Sequence, residues 1–190
     1  MMYTRTVEGD NPLSLATVKQ ALKLSTNRDD DFLTLLMSAV ISFGEGYSGR
    51  EFRSNTFTLL LDYFCERIRI KKSQTTSITS IKYYDQSTPS VQQTVADTVY
   101  YLKQSKSWSD IVLNTAQDWP TDIDELQAEH RIEIEFVTRA DPEYLDLYKQ
   151  AMIRHISYLY QNRGDCEVDD KSVRLSGASE LYGIMGMPRI

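Results

Sequence analysis

The apolar period of this chain switches from helical to strand-like at Gly49, and that switch fixes the fold class. Before it, Phe32, Leu35, Leu36, Ala39, Val40, Phe43 and Tyr47 recur at helical spacing for about four turns, and Gly49 supplies a left-handed stop. After it, Thr56–Leu61 is rich in strand formers, and Arg67-Ile68-Arg69-Ile70-Lys71 alternates apolar and charged with period two. A helical pattern does not sit in a sheet, nor a strand pattern in a helix. The chain is therefore α+β, with a first pair of helices ahead of its sheet.

The other elements follow from the same periods. Pro12-Leu13-Ser14 opens a helix over 14–24, with Ser14 as N-cap and Leu15, Val18 and Leu22 on one stripe. Asn27 through Asp31 is a turn whose acids suit the positive end of a second helix over 30–48. Together the two predict an N-terminal helical hairpin. Strands occupy about 56–137, with Asp62–Glu66 as a hairpin loop between the first two. Ser77–Asp85 is a further strand and Val91–Val95 pairs back on it, while Thr98–Leu102 and Asp110–Leu113 read as short or edge segments. Arg131–Val137 alternates as a strand with one wet face, and the whole stretch reads as a meandering antiparallel β-sheet. Asp141-Pro142 then opens a long C-terminal helix over 142–162, with Leu145, Tyr148, Met152, His155, Ile156 and Leu159 as its apolar stripe. Residues 165–190 carry Gly177, Gly183, Gly186 and Pro188 without a sustained period, and predict an extended C-terminal tail with a short turn near Ala178–Leu181. The expected organisation is a core domain over 1–164 and an extended arm over 165–190.

Composition narrows the function. The 190 residues carry 27 acids against 21 Lys+Arg, a net charge of -6, which argues against a protein that coats nucleic acid by neutralising phosphates. The acidity is local. Ten acids between Asp118 and Asp146 face only Arg131 and Arg139, so that stretch carries -8 and the rest of the chain +2. No run of eighteen apolar residues is present to span a bilayer, and Met1–Asp10 lacks the apolar core of a secretory leader. Cys65 and Cys166 read as reduced thiols, although spacing alone leaves a disulfide open. His130 and His155 have no Cys or His at ligand spacing, so no metal or cofactor is expected.

Each motif with a chemical reading has a plainer one. Gly44-Glu45-Gly46-Tyr47-Ser48-Gly49 matches G-x-G-x-x-G, but a dinucleotide site follows a strand and opens a helix, whereas these glycines close one. Asp29, Asp30 and Asp31 are consecutive, and three consecutive acids do not converge on a cation; helix capping accounts for them. Glu133 and Glu135 share a strand face, the pattern of a paired-carboxylate hydrolase, yet alternation with Ile132, Ile134 and Phe136 makes them the solvent face. His155 lies along an apolar stripe as an interior histidine, and no G-x-S-x-G elbow is present. Arg67, Arg69, Lys71 and Lys72 read as a strand face and its turn. No catalytic constellation emerges, and the chain is not expected to be an enzyme.

Six short motifs, in order, resemble the head–tail connector (adaptor, or head-completion) proteins of tailed bacteriophages. They are Pro12-Leu13-Ser14-Leu15-Ala16 with Val18-Lys19, the acidic turn Asp29–Asp31, Tyr47-Ser48-Gly49-Arg50, Ser77–Asp85, Ile132–Thr138, and Tyr148 through Asn162-Arg163. The resemblance covers about residues 12–164. Thr17 stands where the family's opening motif has Glu, Lys71–Gln74 replaces its prolines, and 103–130 and 165–190 match no pattern. The resemblance implies a structural virion protein, made in the host cytoplasm and placed in the neck. There it would form a homo-oligomeric ring, commonly twelvefold, beneath the portal protein and above a tail-side completion or stopper protein. DNA would pass through the ring without specific binding, with acids of 118–146 facing it, and no membrane is involved. Residues 165–190 would be an arm reaching the portal or a neighbouring subunit. The alternatives are a tail-side completion ring and, from another class, a small hydrolase using Glu133 and Glu135.

Overall fold

The computed structural model describes residues 2–72, 75–105, 108–124, 130–165 and 167–186. Within them the chain forms two compact units, each assembled from separated stretches: residues up to Gly9 with Ser54–Arg139, and Asp10–Arg53 with Ala140 onward.

In chain order the elements are β1 (Met2–Val7), α1 (Leu15–Leu22), α2 (Asp30–Ser48), β2 (Thr56–Leu61), β3 (Arg67–Ile70), β4 (Thr75–Tyr84) and β5 (Gln92–Thr94). There follow β6 (Tyr100–Gln104), β7 (Ser109–Leu113), β8 (Ile132–Thr138), a 3-10 turn at Pro142–Tyr144, α3 (Leu145–Gln161), α4 (Asp170–Leu175) and α5 (Ala178–Met185).

The first unit holds two antiparallel sheets where the sequence suggested one meander: β1-β2-β8-β4-β5 and β3-β7-β6. β8 is the middle strand of the larger sheet. Its Ile132, Ile134 and Phe136 are fully buried, while the residues between them are half-buried. The period-two pattern thus turns directly into one dry face. Phe57 stacks on Phe136 at 5.7 Å, and Tyr3 meets the same ring edge-on at 6.3 Å. β5 pairs back on β4, as the sequence indicates, with Gln93 opposite Tyr83.

The hairpin expected between β2 and β3 does not form. β2 pairs with β1 and β8, whereas β3 pairs with β7. Cross-strand chemistry accounts for this. Arg69 on β3 reaches Asp110 on β7 through two hydrogen bonds of 2.9 and 3.4 Å, a partner that no residue of β2 offers. The intervening loop is also pinned, because Phe64 stacks face to face on Trp119 at 4.7 Å. β1 was not anticipated: Met2–Val7 lacks alternating apolar residues, and as an edge strand it draws its stability from pairing with β2.

The second unit is built from the five helices. Ser14 caps α1 by accepting from the Thr17 backbone N–H, and Lys23 ends it in the left-handed region at φ 58°. Gly49 closes α2 at φ 70°. The helices expected over 14–24 and 30–48 are present, but α1 contributes only Val18 to the dry interior, and the pair packs as part of a larger bundle rather than as a hairpin by itself. The buried stripe of α2 is rotated from the one the sequence suggests. Leu33, Leu36, Met37, Val40, Ile41, Gly44 and Ser48 face inward, and Leu35 is 66% exposed. α2 is apolar on two overlapping stripes, and the inward one ends in small residues that let large rings approach. A Cβ on Gly44 would lie 2.6 Å from Phe52 Cε2 and 3.0 Å from Tyr182 Cζ.

The extended tail expected over 165–190 is the largest correction, since 170–185 forms α4 and α5. Asp169 and Ser172 make a reciprocal capping box at the start of α4. Val173, Ala178 and Tyr182 are fully buried in the same core as α2 and α3. Gly177, left-handed at φ 70°, breaks the helical run between them, so the apolar residues never share one period along the sequence. The arm expected to be separate thus belongs to the second unit's core as far as Gly186.

Candidate assembly surfaces

The residues with a chemical reading are dispersed by the fold. Glu133 and Glu135 lie on β8 opposite Lys82 and Ser80, and Glu133 accepts a hydrogen bond from Gln92 at 3.1 Å. These are ordinary cross-strand pairings of a half-wet sheet face. His155 is fully buried. Its Nε2 lies 2.9 Å from Ser172 Oγ, and Phe43 meets the ring edge-on at 5.6 Å. Burial lowers its pKa to about 4, with the Asp169 charge opposing. The imidazole is therefore neutral near pH 7 and joins α3 to the cap of α4.

The three consecutive acids part company. Asp29 accepts from the Tyr160 hydroxyl at 2.6 Å and from Arg163 at 3.4 Å, and the Tyr160 bond is the main cause of its lowered pKa. Asp30 pairs with Lys19 at 2.8 Å, and Asp31 is exposed. Among the described residues, no group of three or more His, Cys, Asp or Glu is placed to hold a metal ion. The basic stretch is spread as well: Arg69 serves Asp110 and lies over Trp108, whereas Lys72 Nζ sits 4.5 Å over the Phe57 ring. Cys65 is an exposed free thiol, and Cys166 lies outside the described residues.

Tyr47-Ser48-Gly49-Arg50 acts as a structural corner. Ser48 Oγ donates back to the Gly44 carbonyl at 2.7 Å, Gly49 turns the chain, and Arg50 enters the interior. There it faces Asp141 at 3.7 Å and lies over the Tyr144 ring at 5.4 Å. Three residues on, Arg53 meets Glu45 at 3.4 Å, and Glu45 also accepts the Phe52 backbone N–H at 3.0 Å. Buried charges are tolerated here because they are paired.

The acid-rich stretch is divided between the two units. Asp118 through Glu135 belong to the first unit and Asp141, Glu143 and Asp146 to the second, with Asp141 turned inward to Arg50. Glu125 and Glu129 lie outside the described residues.

The fold does leave apolar side chains exposed. Leu35, Leu175 and Ile184 are 58–66% exposed in the second unit, and Met2, Val7, Tyr63, Val91 and Tyr101 are exposed in the first. Single exposed apolar residues are common on any protein, but in an assembling subunit they are the contacts a neighbour covers. Sequence reading had no access to them. Leu35 belongs to the stripe expected to face inward, and Leu175 and Ile184 sit on the helices that replace the tail. No helix among the described residues is long and apolar enough to cross a membrane.

A helical unit and a two-sheet unit, each closed by strands or helices from both halves of the chain, define an α+β subunit with apolar surface left over. That fold recurs in the necks of gene transfer agent particles. A chain in the neck of an empty particle, computed with C6 symmetry, superimposes with a TM-score of 0.76 at 21% identity, covering 100% of this chain and 97% of that one. A chain of the native particle's virion gives 0.74 at 20% identity, and one from the native neck with C12 symmetry gives 0.72 at 19%, with the same coverage. No protein-family model and no curated protein matches the chain.

Proposed function

We propose that this chain is a structural neck protein of a phage-like particle. It forms a twelvefold homo-oligomeric ring between the portal protein and a tail-side completion or stopper protein, completing the head and continuing the DNA channel. The observation that carries this reading is the likeness over the whole chain to neck chains in both C6 and C12 reconstructions. Three further features support it. The residues that might have formed an active site, Glu133, Glu135 and His155, are engaged in sheet pairing or core packing, which fits a structural role. Apolar side chains remain exposed on both units, as a heterologous ring contact requires. A net charge of -6 suits a channel through which DNA slides without being gripped. The test is native mass spectrometry and negative-stain imaging of the purified chain, alone and with a portal-type partner. Closed rings or a stable complex with the portal are expected. A chain that stays monomeric with the portal present overturns the reading.

A further inference from the structure

The basic stretch around β3 keeps positive charge in hand after its internal contacts are made. The register of the smaller sheet puts Arg67, Val112 and Tyr101 in one row and Arg69, Asp110 and Lys103 in the next. Residues paired across strands point to the same side, so these six share one face, while Ile68, Ile70 and Ile111 on the other are buried. β3 also runs beside β1, because the Tyr3 hydroxyl donates to the Arg69 carbonyl at 3.4 Å and accepts the Lys71 N–H at 3.0 Å. Arg5 of β1 and Lys72 meet over one ring, 5.5 and 4.5 Å from the centroid of Phe57. Positive charge thus gathers along this side of the first unit, against Glu8, Glu66 and Asp110. Asp110 is matched by Arg69 at 2.9 Å and Glu8 by Arg5 at 3.3 Å. Arg67, Lys71 and Lys103 are exposed, and none of them pairs with an acid among the described residues.

Exposed cations that no acid of their own chain neutralises select for an anion, and their spacing says of what kind. Strand geometry sets Lys103 roughly 10 Å across the sheet from β3, and Lys71 roughly 13 Å along the chain from Arg67. No single small anion spans those distances, so the ligand repeats its charge. Duplex DNA does so densely, with one charge per about 1.7 Å of axis, and each neutralised phosphate releases bound counterions. We propose that this strip binds the phosphate backbone of duplex DNA without regard to sequence, through Arg67, Lys71 and Lys103, with Arg5 and Lys72 adding to the local field. The choice of DNA rests on the reading of the chain as a neck protein. The strip itself lies within one unit, so the contact needs no ring. Phosphate contacts carry no sequence information and exchange readily, so DNA still slides past them.

The test is fluorescence anisotropy of a short labelled duplex titrated with the full chain over a range of salt concentrations. Saturable binding is expected, equal for duplexes of unrelated sequence, with log affinity falling against log salt at a slope of about -2.7 for three phosphates. Arg67→Gln with Lys71→Gln should reduce the steepness of that slope by about 1.8 and weaken binding at low salt by about tenfold. Arg28→Gln with Lys171→Gln removes the same charge from exposed positions of the second unit and should leave the slope unchanged. All four side chains are exposed, and circular dichroism verifies that both variants fold. Poly-L-glutamate should compete weakly; competition equal to that of DNA at equal charge makes the strip a site for acidic polypeptide and overturns the assignment. Absent binding at low salt, or equal losses in the two double variants, overturns it as well. Rings whose strip variants bind DNA like the parent refute only the DNA contact. Strip-dependent binding by a chain that stays monomeric with the portal leaves the contact standing and refutes only the neck reading.

Discussion

Tyr182 is the residue that decides whether the C-terminal segment is part of the fold. It is fully buried on α5, stacked with Phe52 at 5.8 Å and tilted against Tyr47 at 6.0 Å. Truncating a ring of this size in a close-packed core removes its transfer free energy and leaves a cavity, a cost of about 3–5 kcal/mol. With a urea dependence of about 2 kcal/mol/M, a loss of about 4 kcal/mol lowers the unfolding midpoint by about 2 M. Tyr182→Ala should therefore shift the urea transition of the second unit by about that amount, read by near-ultraviolet circular dichroism. Tyr182→Phe provides the control. The hydroxyl is buried with no hydrogen-bond partner among the described residues, and removing such a group is neutral or stabilises by up to about 1 kcal/mol. The two substitutions should thus move stability in different directions. If Tyr182→Ala costs less than about 1 kcal/mol, α5 is not docked in the free chain and the reasoning fails.

Three other outcomes follow from the same geometry. His155, with a folded pKa of about 4 against about 6.5 in the unfolded chain, makes the unfolded state the better proton acceptor between those values. Stability should be fully present above pH 6.5 and fall as the pH drops towards 4, by up to about 3 kcal/mol, and His155→Gln should flatten that slope in pH-dependent urea titrations. Asp141→Ala leaves the buried Arg50 without its 3.7 Å counter-charge and should cost about 3 kcal/mol by thermal or chemical unfolding. Leu35→Lys, at a 66% exposed position, should leave stability within about 0.5 kcal/mol yet, on the ring proposed above, shift native mass to smaller species.

What the sequence made legible is what regular periods encode. α3 and β8 could be read almost to the residue because their apolar positions recur at 3.6 and 2. The caps at Ser14 and Gly49 were equally plain, being local chemistry. Pairing between distant segments was not. Nothing in Arg67–Ile70 announces that β3 leaves β2 for β7; the reason is Asp110, far along the chain. α2 shows a subtler failure, since it is apolar on two stripes and only the presence of Phe52 and Tyr182 selects the one containing Gly44. The tail was misread because its buried apolar residues, Val173, Ala178 and Tyr182, are spread over two short helices broken at a left-handed glycine.

The separated stretches of each unit bear on how the protein is made. β8 lies between β2 and β4, so the larger sheet has no centre until Ile132–Thr138 has been synthesised. Likewise α2 presents Leu33, Met37 and Ile41 long before α3 and α5 exist to cover them. A nascent chain can close neither core until most of it has left the ribosome, and it carries uncovered apolar surface for most of its synthesis. The first unit is complete once β8 has been made and the second only after α5, so both close late and in that order. A product truncated before Ile132 therefore lacks both the centre of the larger sheet and the helices that cover α2.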